Sequence, residues 1–452
     1  MKIYNTLTNS IQEFIPLKEN EVKMYVCGPT VYNYIHIGNT RPIIVFDVLA
    51  RLLTYKGYKV TYVQNFTDID DKIIKKANEE KSSCQEITKK YINAFMEDTS
   101  KLNLYPGIIR PTVTENLDEI KNLIQKLIDK GYAYKKDNDI VFSIDKFKDY
   151  GKLSKQKLDE LNQGVRIEVD ENKKNPFDFV LWKGKKENEP YFESSFGEGR
   201  PGWHIECSAL IHKYLGDRID IHAGGQDLIF PHHENERAQS ICGITGGAEF
   251  VNYWMHNSYI TINSEKMSKS LGNFMLLKDV LEKYEGYVIR HFILTCHYRK
   301  NLNFSYSDLD ISKKTLDRLT TTMEKFKSYN KGVKPEVLDN LIKEFKSNFI
   351  SSLEDDLNTP KALSYISIFT KSVNKLLNDD VNVEEAYNAL VEMLDILGIN
   401  LPIKKKDDND IVDNLITLLK DVRNELRNQK NYNLSDKIRE ELAKLGINIS
   451  DK

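Results

Sequence analysis

His232 and Glu236 lie four apart in PHHENER, residues 231 to 237, so on a helix they share one face and can reach a common ion. Cys207 falls early in HIECSALI, and Cys27 closes the apolar run YVC. Two thiolates, one imidazole and one carboxylate make a tetrahedral zinc site. A plainer reading stands beside it: the candidates come from three distant segments, His233 and Glu234 offer the same chemistry next door, and buried cysteines are commonly structural.

A second chemistry is written in YVCGPTVYNYIHIGN, residues 25 to 39. Here an apolar strand runs through a Gly-Pro turn into a helix, and the unpaired N–H groups of a helix start favour phosphate. His36 and Asn39 would face that anion, although a helix-capping histidine is the ordinary alternative. Downstream, EKMSKSLGN carries Lys266, Ser268 and Lys269. Flexible cations beside a phosphate site stabilise a leaving pyrophosphate as charge gathers on it. Taken alone, such a loop is a solvated surface.

The elements that must position these residues follow from periodicity. KMYVCGP reads as a strand, IGNTRPIIVFDVLARLLTYKGY as a helix ended by Gly57, and KVTYVQNF as the next strand. Two amphipathic helices, DIDDKIIKKANEE and EITKKYINAFMEDTSKLN, follow this βαβ unit. The α/β pattern gives way near residue 118 to a helix, a hairpin-like AYKKDNDIVFSI and a lysine-rich polar stretch. It resumes with HIECSALIHKYLG as helix, DRIDIHAGGQD as strand and HHENERAQSICGIT as helix. The expected fold class is therefore α/β, a Rossmann-like parallel-sheet catalytic domain split by an inserted subdomain, then a helical bundle and a small C-terminal unit. The expected divisions are residues 1–117 and 197–262 for the two half-sheets and 118–196 for the insertion. The lysine-loop region then occupies 263–307, the bundle 308–401, and a linker (402–410) with its small terminal unit the remainder, 402–452.

At 452 residues the chain exceeds one hydrophobic core. With 40% hydrophobic and 29% charged residues and no long apolar run, it reads as a globular protein without a membrane span. The N-terminus lacks the pattern of an export signal, so a cytoplasmic home is expected. Five cysteines, none in C-x-x-C, argue for reduced thiols. A net charge of −2 from 65 Lys plus Arg and 67 Asp plus Glu gives no global field for nucleic acid, so any RNA would be met by local patches.

HIGN near the start and KMSKS downstream resemble the paired HIGH and KMSKS signatures of class I aminoacyl-tRNA synthetases. VCGPTVYNYIHIGN, NFTDIDDKII, RPGWHIECSAL, DIHAGGQDLIFPHHENERAQS, KMSKSLGN and DDLNTPKAL run in order over nearly the whole chain and together resemble the cysteinyl-tRNA synthetases. The resemblance implies ATP-dependent activation of L-cysteine and its transfer to tRNA(Cys), with Mg²⁺ accompanying ATP and one Zn²⁺ per chain. It places zinc ligands at Cys27, Cys207, His232 and Glu236, and ATP contacts and catalysis at His36, Asn39, Lys266, Ser268 and Lys269. It also puts Gly28, Thr67, Trp203, His222 and Asp227 around the substrates, and a monomer is expected. Duller roles exist for some of these: Thr67 with Asp70 fits a capping box, Trp203 a core aromatic, His222 a satisfied strand-end histidine.

The resemblance has departures. Asn39 stands where the signature has its second histidine, and an amide donates hydrogen bonds but cannot become cationic. The chain closes on LAKLGINISDK without the Gly- and Trp-containing tail frequent in the family, so contacts from such a tail are expected to be absent or differently made. Among competitors, GEGRPG matches G-x-G-x-x-G, but Pro201 and the polar YFESSF before it do not make the strand-to-helix turn of a dinucleotide fold. A cysteine ligase acting on an amino-sugar would share the catalytic half but lack the helical bundle and terminal unit. A catalytically dead RNA-binding paralogue would have lost the signature residues, and all are present.

Overall fold

The computed structural model describes residues 1–156, 173–262, 265–266, 274–378, 380–403, 408–445 and 447, with the backbone alone at 265–266, 408–414 and 444. It divides into two units, residues 1–401 and 402–452.

The first unit opens with an antiparallel hairpin, β1 (Lys2–Asn5) and β2 (Ser10–Glu13), which the mixed N-terminal sequence does not announce. Next come β3 (Glu21–Val26), α1 (Ile37–Tyr55) and β4 (Lys59–Val63), the expected βαβ unit. Helix α1 is apolar almost all round, and Ile37, Ile44, Phe46, Val48, Leu49 and Leu52 are fully buried, as befits a helix covered on several sides. Helices α2 (Asp71–Glu80) and α3 (Cys84–Ser100) follow. Asp70 caps α2 by accepting the Lys72 N–H at 2.8 Å, and Ser83 with Glu86 makes a capping box for α3.

Helix α4 (Leu117–Asp129) leads into an antiparallel sheet ordered β5 (Ala133–Lys136), β6 (Asp139–Phe142), β7 (Phe179–Gly184) and β8 (Gly199–Pro201). Strand β7 falls in what reads as a polar stretch. Its residues Phe179, Leu181 and Trp182 are buried, and the flanking lysines hide that pattern. GEGRPG forms the edge strand β8, not a phosphate turn.

The chain then returns to the first sheet through α5 (Ile205–Leu215), β9 (Ile219–Gly225), α6 (Glu234–Ser240) and β10 (Val251–Asn257). Among the described residues the sheet is parallel and ordered β10-β9-β3-β4, so chain direction across it diverges between β9 and β3. Open α/β sheets bind ligands at such a switch point, beyond the carboxyl ends of the strands. Cys27, Gln64, Gly225 and Asn257 all stand at those ends.

Strands β11 (Ile260–Ile262), β12 (Glu265–Lys266) and later β13 (Leu302–Asn303) form a small sheet, with α7 (Leu277–Leu281) and α8 (Gly286–Leu294) between. Phe274 to Leu277 is pinned to the HIGN turn, the Ile37 N–H donating to Met275 O and the Leu277 N–H to Ile35 O, both at 2.9 Å. Helices α9 (Tyr306–Ser328), α10 (Leu338–Glu354), α11 (Thr359–Asn374) and α12 (Glu384–Leu397) make the expected bundle.

A buried ion pair ties these layers together. Arg290 of α8 meets Asp47 of α1, donates through Nε to Leu397 O at 2.5 Å and through NH1 to Leu102 O at 3.1 Å, and both side chains are fully buried.

The second unit holds α13 (Asp408–Asn428) and α14 (Tyr432–Lys444), which pack on each other. Helix α13 starts inside the span expected to be linker. The acidic residues of DND suit a helix N-terminus as well as they suit a solvated connection.

Candidate metal centre and nucleotide cleft

Two cavities meet at the carboxyl edge of the parallel sheet. The larger, about 410 Å³, is lined by the turn from Cys27 to Asn39, by Pro42 and Ile43 of α1, and by Gly225, Asp227 and the segment Asn257–Ile260. His36 is the N-cap of α1 in extended backbone, and its ring meets Phe274 edge-on at 4.8 Å. Asn39 turns its Oδ1 back to accept the His36 N–H at 3.0 Å, which leaves the Nδ2 donor for an anion. Pro42 sits inside α1 and has no N–H to give the Gly38 carbonyl, so the first turn opens toward the cleft.

Gly28 is needed for closeness. A Cβ there would stand 1.6 Å from the Asn65 carbonyl oxygen, while the Gly28 N–H donates to Asn65 Oδ1 at 2.9 Å. Replacing Gly28 with Ala must push β3 and β4 apart at their carboxyl ends. We expect a loss of at least about tenfold in ATP-dependent pyrophosphate exchange from misplacement on the order of 1 Å. Unaltered exchange would show that the two strand ends can separate without harm.

Beneath the cleft, Cys27, Cys207, His232 and Glu236 converge, each offering a ligand atom within 4.8 Å of the others. The sulfurs are 4.0 Å apart, Cys27 Sγ lies 3.6 Å from Glu236 Oε1, and His232 Nε2 lies 2.9 Å from the same oxygen. A second set, Cys27, His222, His233 and Glu236, also meets that criterion, with Cys27 Sγ at 3.2 Å from His233 Nε2. Cys27 and Glu236 belong to both. Glu234 turns away, accepting the Ser154 N–H at 2.7 Å and facing Arg237.

The histidine and carboxylate donors have partners behind them, as metal ligands commonly do. His204 Nδ1 stands 2.7 Å from His232 Nδ1, His222 Nε2 2.7 Å from Glu236 Oε2, and His256 Nε2 2.7 Å from His233 Nδ1. His204 has φ of +123°, strained for a non-glycine residue, and its N–H donates to Glu206 Oε2 at 2.6 Å.

The electrostatics suit a cation. Burial pushes the Glu236 carboxyl up, but the His222 and His232 imidazoles outweigh it and hold it down at about 2. Burial likewise opposes ionisation of Cys207, yet hydrogen bonding from Cys27 together with His232 brings its thiol down to about 6. Cys27 is pushed well up by burial and by its partner thiol. The result is a carboxylate and a thiolate enclosed with two further donors, and the mixed sulfur, nitrogen and oxygen set fits a tetrahedral divalent ion.

The other expected substrate contacts scatter. Asp227 lines the cleft. Thr67 is not a cap: its N–H donates to Pro29 O at 3.2 Å and its carbonyl accepts the Val31 N–H, bracing the turn after Cys27. His222 is fully buried behind Glu236. Trp203 is 38% exposed, not a core aromatic, and lines the second cavity. Ser268 and Lys269 lie outside the described residues, and of Lys266 only the backbone, paired to β11, is described.

Sequence reasoning missed Asn65, which ties Gly28 to Thr67, and the histidines His204 and His256. HIEC and WMHN carry these histidines at element ends, but only the fold shows that they point at other imidazoles.

A parallel sheet with a ligand cleft at its switch point and a helix N-terminus facing it is the arrangement of a nucleotide-binding α/β domain. Residues 13–314 match the family model "tRNA synthetases class I (C) catalytic domain", and residues 348–402 match "DALR domain". Among solved structures, the Mycobacterium tuberculosis methionyl-tRNA synthetase in complex with methionyl-adenylate superposes with a TM-score of 0.61 at 12% identity, covering 83% of this chain and 89% of that one. The Agrobacterium radiobacter K84 LeuRS from a ternary complex gives 0.63 at 10% identity, covering 86% and 85%. These share the fold. The cysteine–tRNA ligase of Fusobacterium nucleatum is 52% identical over 100% of this chain and 98% of its own length, and that of Clostridioides difficile 48% over the same shares. The chain belongs to the cysteine–tRNA ligase family of class I synthetases. No helix among the described residues is long and apolar enough to cross a membrane.

Proposed function

We propose that this chain activates L-cysteine with ATP and passes the cysteinyl group to the 3′-terminal ribose of tRNA(Cys) in the cytoplasm, with zinc held by Cys27, Cys207, His232 and Glu236. The observation that carries this reading is the convergence of those four side chains directly under the nucleotide cleft. A bound zinc supplies a soft Lewis acid that prefers a thiolate to a hydroxyl, the one-atom difference between cysteine and serine.

The remaining chemistry belongs to the chain's own groups. His36 and Asn39, at the start of α1, hold the ATP phosphates against the helix N-terminus. Lys266, Ser268 and Lys269 stabilise the leaving pyrophosphate, and Mg²⁺ travels with the nucleotide. Gly28 gives the backbone its close approach and Asp227 faces the cleft. Thr67 acts by bracing the turn, and His222 by aiming Glu236. Trp203 closes the side toward the second cavity. The bundle and the terminal unit meet the tRNA through local basic and aromatic patches.

Pyrophosphate exchange with cysteine and serine side by side, with zinc measured on the same sample, tests the reading. Exchange with cysteine only, one zinc per chain and charging of tRNA but not of an amino-sugar are expected. Exchange with both amino acids would refute the proposed recognition of the thiol.

A further inference from the structure

Between the start of α1 and the strand that carries Lys266 stands a fully buried cation. Arg41 follows His36 by five residues on α1, and its side chain does not itself line the nucleotide cleft. Its Nη1 donates to Tyr259 O at 2.5 Å, and its Nη2 donates to His297 O at 3.1 Å and to Lys300 O. Apart from the Cys296 sulfur at 3.8 Å, these carbonyls are its partners among the described residues, and no carboxylate there pairs with it.

Two of the carbonyls belong to the turn 297–300, which the Lys300 N–H closes on His297 O at 2.9 Å. The other two carbonyls of that turn are held by Ser258: Tyr298 O accepts its N–H at 2.8 Å and Arg299 O its hydroxyl at 2.7 Å. Ser258 and Tyr259 are walls of the nucleotide cleft. Tyr259 leads straight into β11, where Thr261 stands opposite Lys266 of β12. One guanidinium on α1 therefore grips both the cleft wall and the turn that backs it.

A buried charge is a weak source of stability, because well-packed apolar side chains commonly serve as well. What the planar, forked donors of arginine add is geometry, since carbonyls from two segments are fixed at once relative to the helix that bears them. Resting on the ATP-activation reading above, we propose that Arg41 is a positioning residue for the departure of pyrophosphate. It sets β11, and through the β11–β12 pairing Lys266, against the helix start where His36 and Asn39 receive the phosphates. Cysteine is held elsewhere, on the metal donors.

The test is a double-mutant cycle read by pyrophosphate exchange. Arg41→Met, which keeps an unbranched side chain and removes the donors, is expected to lower kcat about a hundredfold, the scale of a misplacement of about 1 Å. KM for cysteine and metal content should stay at their wild-type values. In a Lys266→Ala background the same substitution is expected to cost about threefold or less, because a residue that acts through Lys266 then has nothing left to position. If Arg41→Met does not fold, Arg41→Lys, which keeps the charge and loses the fork, enters the same cycle with an expected loss of about tenfold. The full loss repeated in the Lys266→Ala background, a KM for cysteine that rises in step with the loss, or undiminished exchange in the Arg41 variant overturns the assignment. Undiminished exchange in Lys266→Ala alone would instead overturn the underlying reading.

Discussion

Replacing Cys207 with serine is expected to strip most of the bound metal and to lower pyrophosphate exchange with cysteine by about a thousandfold. Loss of a group behind a ligand already costs roughly 10- to 100-fold in metal affinity, and loss of a ligand itself should cost more. The Cys207 thiol, brought down to about 6, supplies negative charge at working pH, whereas a serine hydroxyl stays neutral. Elemental analysis checks the metal, and it also separates the two overlapping donor sets. Retention of metal in Cys207→Ser together with its loss in His233→Ala would assign the ion to Cys27, His222, His233 and Glu236 instead.

The second large effect is on stability. Arg290→Ala is expected to destabilise the first unit by about 3–5 kcal/mol, because it leaves Asp47 buried with only Arg51 and the Tyr105 N–H to meet it. The Leu397 and Leu102 carbonyls lose a donor in the same step. At roughly 2 °C per kcal/mol for a large unit, the apparent melting temperature should fall by about 5–10 °C in a thermal scan. A shift under one degree would mean that the pair merely offsets its own desolvation.

How much of this was legible in the chain depends on the range of the physics. The β3–α1–β4 unit and the helices α9 to α12 follow from local periodicity, which reports which face is buried. Strand β7 was hidden because the lysines that flank it dominate the composition there, and β8 is only three residues long. The hairpin of β1 and β2 and strand β10 gave no clear turn or alternation signal. At the site, residue type and a four-residue spacing suggested His232 with Glu236, and resemblance suggested the two cysteines. Spacing gave no sign that His222 and His233 would lie equally near, nor that Glu234 would turn to Ser154. Those outcomes depend on how α6 is rotated against β9, a tertiary property. The capping alternative for Thr67 failed because a hydroxyl near a helix start resembles a cap, while its backbone is engaged by the neighbouring turn.

The wide spacing of the converging donors has a consequence for biogenesis. Cys27 and Cys207 are 180 residues apart in sequence, and α5, which carries Cys207, must pack on β3 before their sulfurs can meet. A nascent chain that has emerged only as far as β8 therefore has one of the four donors, Cys27, and no cage, and cannot trap an ion through this set. If zinc is held as proposed, loading would wait until the second half-sheet leaves the ribosome and docks, and metal capture would then report the completion of the catalytic core.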